Sequence, residues 1–373
     1  LPQSVAFRDP VHSRDDYAGN HMTLASVLRA DARGLPELER FAYQLLDDAG
    51  ELELRVDHGL KDGGKPYLQV APMKLVAKQG RQWPIEAPEK FYRFSEVTLA
   101  RYQNADSLSQ FPLETERLLA GLTYLGPLRA PPSRTYSWAG DIVPDVGARG
   151  EFAVPALLAA TQEGRELNRG HRKRKARFDR FIAGWLRDLG VIDSFSVHPL
   201  GKGRKEYEVL VRTRKAAPEV KLTDVGFGVS QVLPALVQAF YAPPDTTVWM
   251  EQPEIHLHPQ VQAELADAFI SAVQAYENGR PRNVQLIVES HSEHFLMRLQ
   301  RRVAEEVVST DDVAVYFADV SNGELDLAAL KLDMYGDIEN WPDNFFGDEM
   351  AEIAARTQAA LHRRIKDRAG THG

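Results

Sequence analysis

The sequence predicts an α/β fold with a parallel sheet, a β-rich arm and a helical insertion. In the last third of the chain, short apolar runs alternate with an amphipathic helical pattern, which favours parallel strands. Residues 1–120 instead alternate short apolar runs with polar turns, and 152–189 follow a helical pattern. We therefore expect a β-rich amino-terminal lobe at 1–125, a loop with a basic helical insertion at 126–215, and an α/β lobe at 216–373.

The composition is that of a globular protein. Hydrophobic residues make up 43% and charged residues 26% of the 373 positions, and no apolar run approaches the ~18 residues that span a bilayer. We expect no membrane insertion. The absence of cysteine excludes disulfides, thiolate zinc sites and a cysteine nucleophile, and it favours a cytoplasmic location. A net charge of −8 argues against a uniformly basic coat for nucleic acids.

A hairpin is predicted in the amino-terminal lobe. Residues 51–56 and 67–76 have strand patterns, and Asp62-Gly63-Gly64 between them is typical of a hairpin turn. Gly59 to Lys65 also has the Gly-x-x-x-x-Gly-Lys spacing of a phosphate-binding loop. However, Pro66 stands where Ser or Thr would contact Mg²⁺, and a strand follows instead of a helix. We therefore interpret the segment as a turn.

The helical insertion carries a cationic stretch in an acidic protein. A helix with these side chains could neutralise several backbone phosphates of DNA or RNA, and its binding would depend strongly on salt. The alternative is a solvated helix face or a coiled-coil-like arm. The cations are Arg165, Arg169, His171, Arg172, Lys173, Arg174, Lys175, Arg177 and Arg180. The candidate nucleic-acid contacts among them are Arg172, Lys173, Arg174 and Lys175.

The carboxy-terminal lobe has the pattern of a parallel sheet. Three runs of apolar and β-branched residues, 246–250, 284–288 and 313–317, are typical of buried strands. Between the first two runs, an amphipathic helix opens at Pro259 and stops at Asn278-Gly279. Strands that alternate with helices pair in parallel, and such sheets place functional sites at the carboxyl ends of their strands. We expect all three runs to join one sheet.

A glycine-rich segment precedes a predicted apolar helix, Val232 to Tyr241. In 224–231, small residues would let backbone N–H groups approach phosphate oxygens, because the amino end of a helix favours anions, and a serine hydroxyl can add a bond. We expect Pro234 to lie within the first helical turn, where amide donors lack helical partners. The alternative is a simple helix cap after a glycine turn. The candidate nucleotide-binding residues are Gly226, Gly228, Ser230 and Gln231.

Polar residues follow the first two predicted strands. Glu251 ends the first strand, where a carboxylate can bind a Mg²⁺ shared with nucleotide phosphates, because Mg²⁺ prefers oxygen ligands. His291 follows the second strand, where an imidazole can contact a γ-phosphate oxygen or hold an attacking water. The alternatives are a solvated acidic loop at 251–259 and a structural histidine in 289–294.

These segments, in this order, resemble the second half of ABC ATPase heads of the RecF/SMC type. The similarity is greatest to bacterial AAA-type ATPases related to the overcoming-lysogenization-defect family, whose Walker B region has Glu, Glu or Gln, Pro, Glu and then His-Leu-His-Pro. Here that region is Glu251 to Pro259. The resemblance implies that 226–230 contains the signature loop, that Glu251 is the Walker B acid and that His291 is the switch histidine.

The resemblance also implies a function. The chain would bind ATP and Mg²⁺ and work as a nucleotide-gated homodimer, in which the signature loop of one copy contacts nucleotide held by the P-loop of the other. DNA repair or phage defence is the implied setting, with an effector protein and DNA or RNA as further partners. Segments 126–129 and 341–346 are similar to parts of one subgroup of these ATPases.

Two departures limit what the resemblance implies. Gln252 stands where many ABC ATPases have a glutamate base, and an amide can orient a water but cannot take its proton, so we expect slow hydrolysis. No P-loop is recognisable, and we expect one upstream of Leu1 in the natural chain. The alternative functions are a pseudo-ATPase, which uses nucleotide only for assembly, and a nucleic-acid-binding assembly module.

A metal hydrolase is a further alternative. Its Zn²⁺ or dinuclear centre would take ligands from four histidines and one acid. Histidines two residues apart before Pro259 point in different directions unless the loop is specially shaped, which disfavours this site. The ligand set would be His256, His258, His291, His294 and Glu254.

Overall fold

In the computed structural model, the chain forms two compact units, Leu1–Gly121 and Leu122–Gly373. The structure describes residues 3–10, 21–31, 33–47, 49–61, 63–80, 83–170, 173–321, 324–342 and 358. Within these ranges, no helix is both long enough and apolar enough to cross a bilayer.

The first unit opens with five strands: β1 (Gln3–Pro10), β2 (His21–Ala30), β3 (Pro36–Leu46), β4 (Leu52–Leu60) and β5 (Pro66–Ala71). They form one antiparallel sheet in chain order. Two helices follow, α1 (Glu96–Ala100) and α2 (Gln110–Ala120). Alternate side chains of the strands face the core, where Phe41 and Tyr43 of β3 pack against Phe94 and Phe111.

The predicted hairpin between β4 and β5 is confirmed. Gly63 and Gly64 have φ angles of 84° and 75°, which glycine adopts without steric cost. Lys61 closes the turn by donating its N–H to the Lys65 carbonyl at 2.9 Å. The Gly-Lys spacing at 59–65 therefore belongs to a turn between strands and not to a phosphate-binding loop.

The second unit contains thirteen strands and five helices in the part of the chain that the structure describes. The strands are β6 (Leu122–Leu125), β7 (Tyr136–Ser137), β8 (Glu166–Asn168), β9 (Ala176–Arg177), β10 (Ser194–Pro199), β11 (Glu206–Arg212), β12 (Val220–Lys221), β13 (Thr247–Glu251), β14 (Tyr276–Glu277), β15 (Arg280–Pro281), β16 (Gln285–Glu289), β17 (Val315–Ser321) and β18 (Glu324–Leu330). The helices are α3 (Ala153–Gln162), α4 (Phe178–Asp188), α5 (Phe227–Tyr241), α6 (Pro259–Val273) and α7 (Glu293–Ala304).

A three-stranded parallel sheet lies at the centre of this unit, in the order β16-β13-β6. Two of the three predicted strands, β13 and β16, are therefore confirmed. Val248 and Met250 of β13 are buried in the core to which α5 and α6 contribute. The opposite face carries exposed side chains at one register, namely Tyr124, Trp249 and Ile287.

The third predicted strand does not join the parallel sheet, so that prediction is wrong. β17 pairs antiparallel with β18 in a separate hairpin, and its Tyr316 and Val320 are exposed. A short apolar run cannot by itself distinguish a fully buried strand from a half-buried one. β6 takes the third place in the parallel sheet, although its sequence, Leu-Thr-Tyr-Leu, alternates and lacks a continuous apolar run.

The basic stretch is not a helix, contrary to the prediction. α3 and α4 confirm helices at the two ends of 152–189, but β8 and β9 form an antiparallel pair between them. Cations at every fourth position from Arg165 to Arg177 would repel one another on one helix face. Arg165 instead binds Glu277 of β14 through N–H···O bonds of 2.8 and 3.0 Å, and β14 pairs with β8.

Helices α3 and α4 pack into the same core as α5 and the parallel sheet. Phe181 of α4 meets Phe240 of α5 edge to face, with ring centroids 4.8 Å apart, and Trp185 stacks on Phe240 at 6.1 Å. This core fixes α5 against the sheet and thereby positions the loops at the sheet's edge.

Candidate functional site

The two predicted polar loops lie side by side at one edge of the parallel sheet. Glu251 and Glu289, the last residues of β13 and β16, are opposite each other in the parallel register. Gln252 donates its N–H to the Glu289 carbonyl at 2.8 Å, which joins the starts of the two loops. The structure therefore brings Glu251, Gln252 and His291 to the same edge, as expected for the carboxyl ends of adjacent parallel strands.

The loop after β13, residues 252–258, has an unusual backbone. Gln252 and His256 have φ angles of 44° and 64°, a region that residues with a side chain rarely adopt. Backbone hydrogen bonds of 3.2 and 3.1 Å close two turns within the loop. Such conformations cost on the order of 1–3 kcal/mol each and cluster at functional sites, where surrounding contacts impose them.

Helix α6 begins at Pro259, as predicted. Pro259 has no N–H to lose at the first helical position, and His258 caps the helix by accepting the Gln260 N–H on Nδ1 at 3.3 Å. In the described ranges, no three residues of the His, Asp and Glu types form a group that could hold a metal ion. The zinc alternative, which needs His256 and His258, therefore lacks its ligand set there.

Two side chains from the β6 region support Glu251. Tyr124 donates its hydroxyl to Glu251 Oε1 at 2.9 Å, and this bond raises the pKa of the Tyr124 hydroxyl. Arg129 donates Nη2 to the Glu251 carbonyl oxygen at 3.1 Å. Because Mg²⁺ takes one or two carboxylates along with phosphates and water, the Glu251 carboxylate fits that ion. The sequence analysis missed Tyr124, whose only signal is its place in a short strand.

The loop after β16 is tied to the loop after β13. His291 has an exposed side chain, and its N–H donates to Glu254 Oε1 at 2.9 Å. Gln262 of α6 accepts the Ser292 hydroxyl at 2.6 Å and donates to the Leu257 carbonyl at 3.0 Å. Ser292 also caps α7. Glu254 and Gln262 thus hold the two loops at a defined spacing.

Helix α5 begins earlier than predicted, at Phe227, with Gly226 as its N-cap. Pro234 therefore lies inside the helix and beyond the first turn, which corrects the prediction. The reason is that Gly-Phe-Gly-Val-Ser has weak helix propensity, so the local pattern indicated a later start. Gly228 lies against the loop after β13: a Cβ built there would be 3.7 Å from Leu257 Cδ2.

The four predicted nucleotide-binding residues differ in their exposure. Ser230 and Gln231 are only 6% and 7% exposed, and Ser230 lines a cavity of about 90 Å³ beside segment 130–133. Gly226 is exposed and Gly228 is half-buried. The first turn of α5 thus presents its backbone N–H groups at the two glycines, where an anion can meet them.

The predicted nucleic-acid contacts are only partly described. Arg172 lies outside the described residues, whereas Lys173 to Lys175 are exposed. Arg169 of the same stretch lies over the Trp185 ring at 3.8 Å and bonds Asp188 at 2.6 Å. Part of the cationic set is therefore engaged within the chain.

Comparison with protein families gives two matches. Residues 168–296 match the family described as AAA ATPase domain, and residues 308–355 match a family described as protein of unknown function (DUF3696). The first match contains the glycine-rich segment and both polar loops. The second contains the β17–β18 hairpin. No curated protein matches the chain.

Solved SMC heads are similar to the chain at low identity. The SmcHead bound to the C-winged helix domain of ScpA has 10% identity over 85% of this chain and 76% of that chain, with a TM-score of 0.35. The SMC head domain from Thermotoga maritima has 9% identity over 82% and 79%, with a TM-score of 0.35. The Smc head with an extended coiled coil, bound to the C-terminal domain of ScpA derived from Pyrococcus furiosus, has 9% identity over 81% and 80%, with a TM-score of 0.34.

TM-scores of this size carry no structural argument, so the class rests on the family match and on the motifs. The match at 168–296 includes Glu251, Gln252, His291 and the glycine-rich segment. The chain therefore carries an AAA ATPase domain and is an AAA/ABC-type ATPase of the RecF/SMC-like class.

Proposed function

We propose that this chain binds ATP with Mg²⁺ and hydrolyses ATP slowly, and that nucleotide binding controls its homodimerisation. The observation that supports this proposal most is the meeting of Glu251, Gln252 and His291 at one sheet edge, joined by the Gln252–Glu289 hydrogen bond of 2.8 Å. These side chains offer a carboxylate for Mg²⁺, an amide for an attacking water and an imidazole for a γ-phosphate oxygen.

Each of the three residues has its own task. Glu251 binds the Mg²⁺, which neutralises negative charge on the phosphates when it is bound. Gln252 orients the attacking water but cannot accept its proton, so the ATP-bound state is long-lived. His291 donates a hydrogen bond to the γ-phosphate as charge develops on its oxygens.

In the homodimer, the first turn of α5 contacts the nucleotide bound to the second copy. Gly226 and Gly228 lack a Cβ, so their backbone N–H groups can approach phosphate oxygens closely. Ser230 and Gln231 lie further along the helix and are buried. They join the contact when segment 130–133 moves away from Ser230.

Sedimentation and phosphate release together test this proposal. With ATP and Mg²⁺ the wild-type chain should dimerise and release phosphate slowly, whereas Glu251→Gln should lose Mg²⁺-dependent nucleotide retention. Glu264→Gln, in the neighbouring helix α6, is the matched control and should behave like the wild type. A monomer that retains no nucleotide would contradict the proposal. A dimer that releases no phosphate would favour the pseudo-ATPase alternative.

We propose DNA repair or phage defence as the setting of this ATP cycle, with an effector protein that responds to the dimer. The support for this setting is the resemblance of 251–259 to the overcoming-lysogenization-defect family. Co-purification of the tagged chain with ATP, compared with Glu251→Gln, would test for an effector. A partner retained equally by both proteins would contradict nucleotide control.

Nucleic-acid binding is a second candidate function, favoured by the exposed run Lys173 to Lys175. Such cations bind backbone phosphates, so affinity for a labelled duplex should fall steeply with salt. Replacing all three by Glu should weaken binding at every salt concentration and reduce the salt slope by up to about three phosphate contacts. The matched control replaces Lys202, Arg204 and Lys205 in the β10–β11 turn. Binding that ignores salt would contradict this function.

A further inference from the structure

Two buried side chains of opposite charge lie beneath the polar loops. Arg129 is 7% exposed and Glu254 is 5% exposed. Arg129 follows β6, and Glu254 belongs to the loop after β13. Charged side chains are rarely buried to this extent unless they are paired or serve a site.

Arg129 uses only part of its hydrogen-bonding capacity. Its Nη2 donates to the Glu251 carbonyl at 3.1 Å, but Nε and Nη1 are buried without a partner among the described residues. Burial lowers the pKa of Arg129 to about 10, and the negative charges of Glu254 and Glu251 oppose that effect. The guanidinium therefore stays positively charged at neutral pH.

Glu254 is in the complementary position. Its Oε1 accepts the His291 N–H at 2.9 Å, while its Oε2 is buried without a partner in the described part of the chain. Arg129 is the buried cation whose charge interacts with Glu254, and without it an ionised Glu254 would be unfavourable in this interior.

We propose that Arg129 and Glu254 are a pair of positioning residues, which together set the spacing between Glu251 and His291. Arg129 holds the Glu251 main chain, Glu254 holds the His291 main chain, and the attraction between the two charges keeps both side chains inside. For its meaning in catalysis this inference rests on the proposed ATPase function, because Glu251 and His291 act on opposite sides of the same phosphates there.

Removing one charge should be worse than removing both. In Arg129→Met, Glu254 loses its counter-charge, turns towards water and releases the His291 N–H. In Arg129→Met/Glu254→Gln, the neutral amide can remain buried, and its oxygen can still accept the His291 N–H. The pair therefore predicts non-additive substitutions, which distinguishes a charge coupling from simple loss of packing.

Hydrogen–deuterium exchange of the His291 amide, followed in peptides that cover 289–293 of the full chain, tests this directly without nucleotide. We expect exchange to rise about tenfold in Arg129→Met and to return to within about threefold of the wild type in the double variant. In steady-state assays, Arg129→Met should lower kcat about tenfold and change KM for ATP by less than about threefold, with partial recovery in the double variant.

Arg282→Met is the matched control, because Arg282 is fully buried, has an unpaired Nε and lies away from these loops at the end of α5. If it raises His291 exchange as much as Arg129→Met does, global destabilisation explains the effect and the proposal is wrong. Should Arg282→Met fail to fold, the exposed Arg134→Met replaces it. Unchanged exchange in Arg129→Met, or a double variant no better than the single one, would also overturn the proposal. Wild-type protein that binds no ATP, while the exchange pattern holds, would refute the proposed function alone.

Discussion

Gln252 follows Glu251 directly, and its φ of 44° determines the direction in which its side chain leaves the loop. A carboxylate at this position could accept the proton that the amide cannot. We predict that Gln252→Glu raises kcat for ATP hydrolysis at least about tenfold, since a general base typically contributes about 10²–10⁴-fold. Phosphate release under saturating ATP measures it. Gln252→Ala should be slower than the wild type, and a Gln252→Glu enzyme no faster than the wild type would contradict the role of position 252.

His58, in β4, gives the first unit a pH-dependent stability. The ring is fully buried, its Nδ1 bonds the Tyr67 carbonyl at 2.6 Å, and its Nε2 has no partner among the described residues. Burial lowers the pKa of His58 below its ordinary value of 6.5. Below pH 6.5 the unfolded chain therefore takes up a proton that the folded unit does not, so the free energy of unfolding falls as the pH falls.

We predict that urea unfolding of the first unit shows this loss between pH 7 and 5.5, with a slope of at most about 1.4 kcal/mol per pH unit. His58→Leu should remove the slope in this window, although the protein will be less stable at pH 7. His198→Leu, which replaces an exposed histidine of β10, is the control and should keep the slope. An undiminished slope in His58→Leu would show that other groups cause it.

The elements of the fold differ in how strongly their own sequence specifies them. α6 begins at Pro259 because proline at the first helical position and a capping residue before it are local signals. The hairpin of β4 and β5 likewise follows from its two glycines. β17 and the basic stretch lacked such signals: their partners, β18 and Glu277, were not evident from local pattern.

The carboxyl end of α5 depends on a buried arginine. Arg282 donates to the Ala239 carbonyl at 3.3 Å and to the Ala242 carbonyl, and its Nε lies 3.5 Å from Glu277. Burial lowers the pKa of Arg282 to about 10, so it remains charged at neutral pH. We predict that Arg282→Met lowers the free energy of unfolding of the second unit by about 3 kcal/mol, because helix carbonyls and a buried carboxylate lose their donor.

Urea denaturation at neutral pH measures this loss. Arg280→Met, at an exposed neighbouring position of β15, is the control and should change stability by less than about 0.5 kcal/mol. Equal effects of the two substitutions would show that burial of the Arg282 guanidinium is not the cause.

The whole chain has two hydrophobic cores, one in each unit. We predict that its unfolding is not two-state and shows two transitions. His58→Leu should displace only one of them and Arg282→Met only the other, as followed by calorimetry. A single transition displaced by both substitutions would show that the units unfold together.

Local pattern was sufficient for much of the candidate site. The apolar runs of β13 and β16 and the polar residues that end them predicted where Glu251 and His291 would meet, because adjacent parallel strands end at the same edge. The glycine-rich segment before α5 was also recognisable, although its helix begins earlier than predicted. These features lie within short stretches of chain, where periodicity and turn chemistry act directly.

Contacts between distant residues set the remainder. Arg165 and Glu277, 112 positions apart, hold the basic stretch in an extended form, and Arg129 reaches the Glu251 carbonyl across 122 positions. β6 joins the parallel sheet through pairing with β13, although its own four residues give little signal. A buried ion pair, a strand partner or a sheet edge exists only once the chain has brought remote segments together, so no local pattern could have specified them.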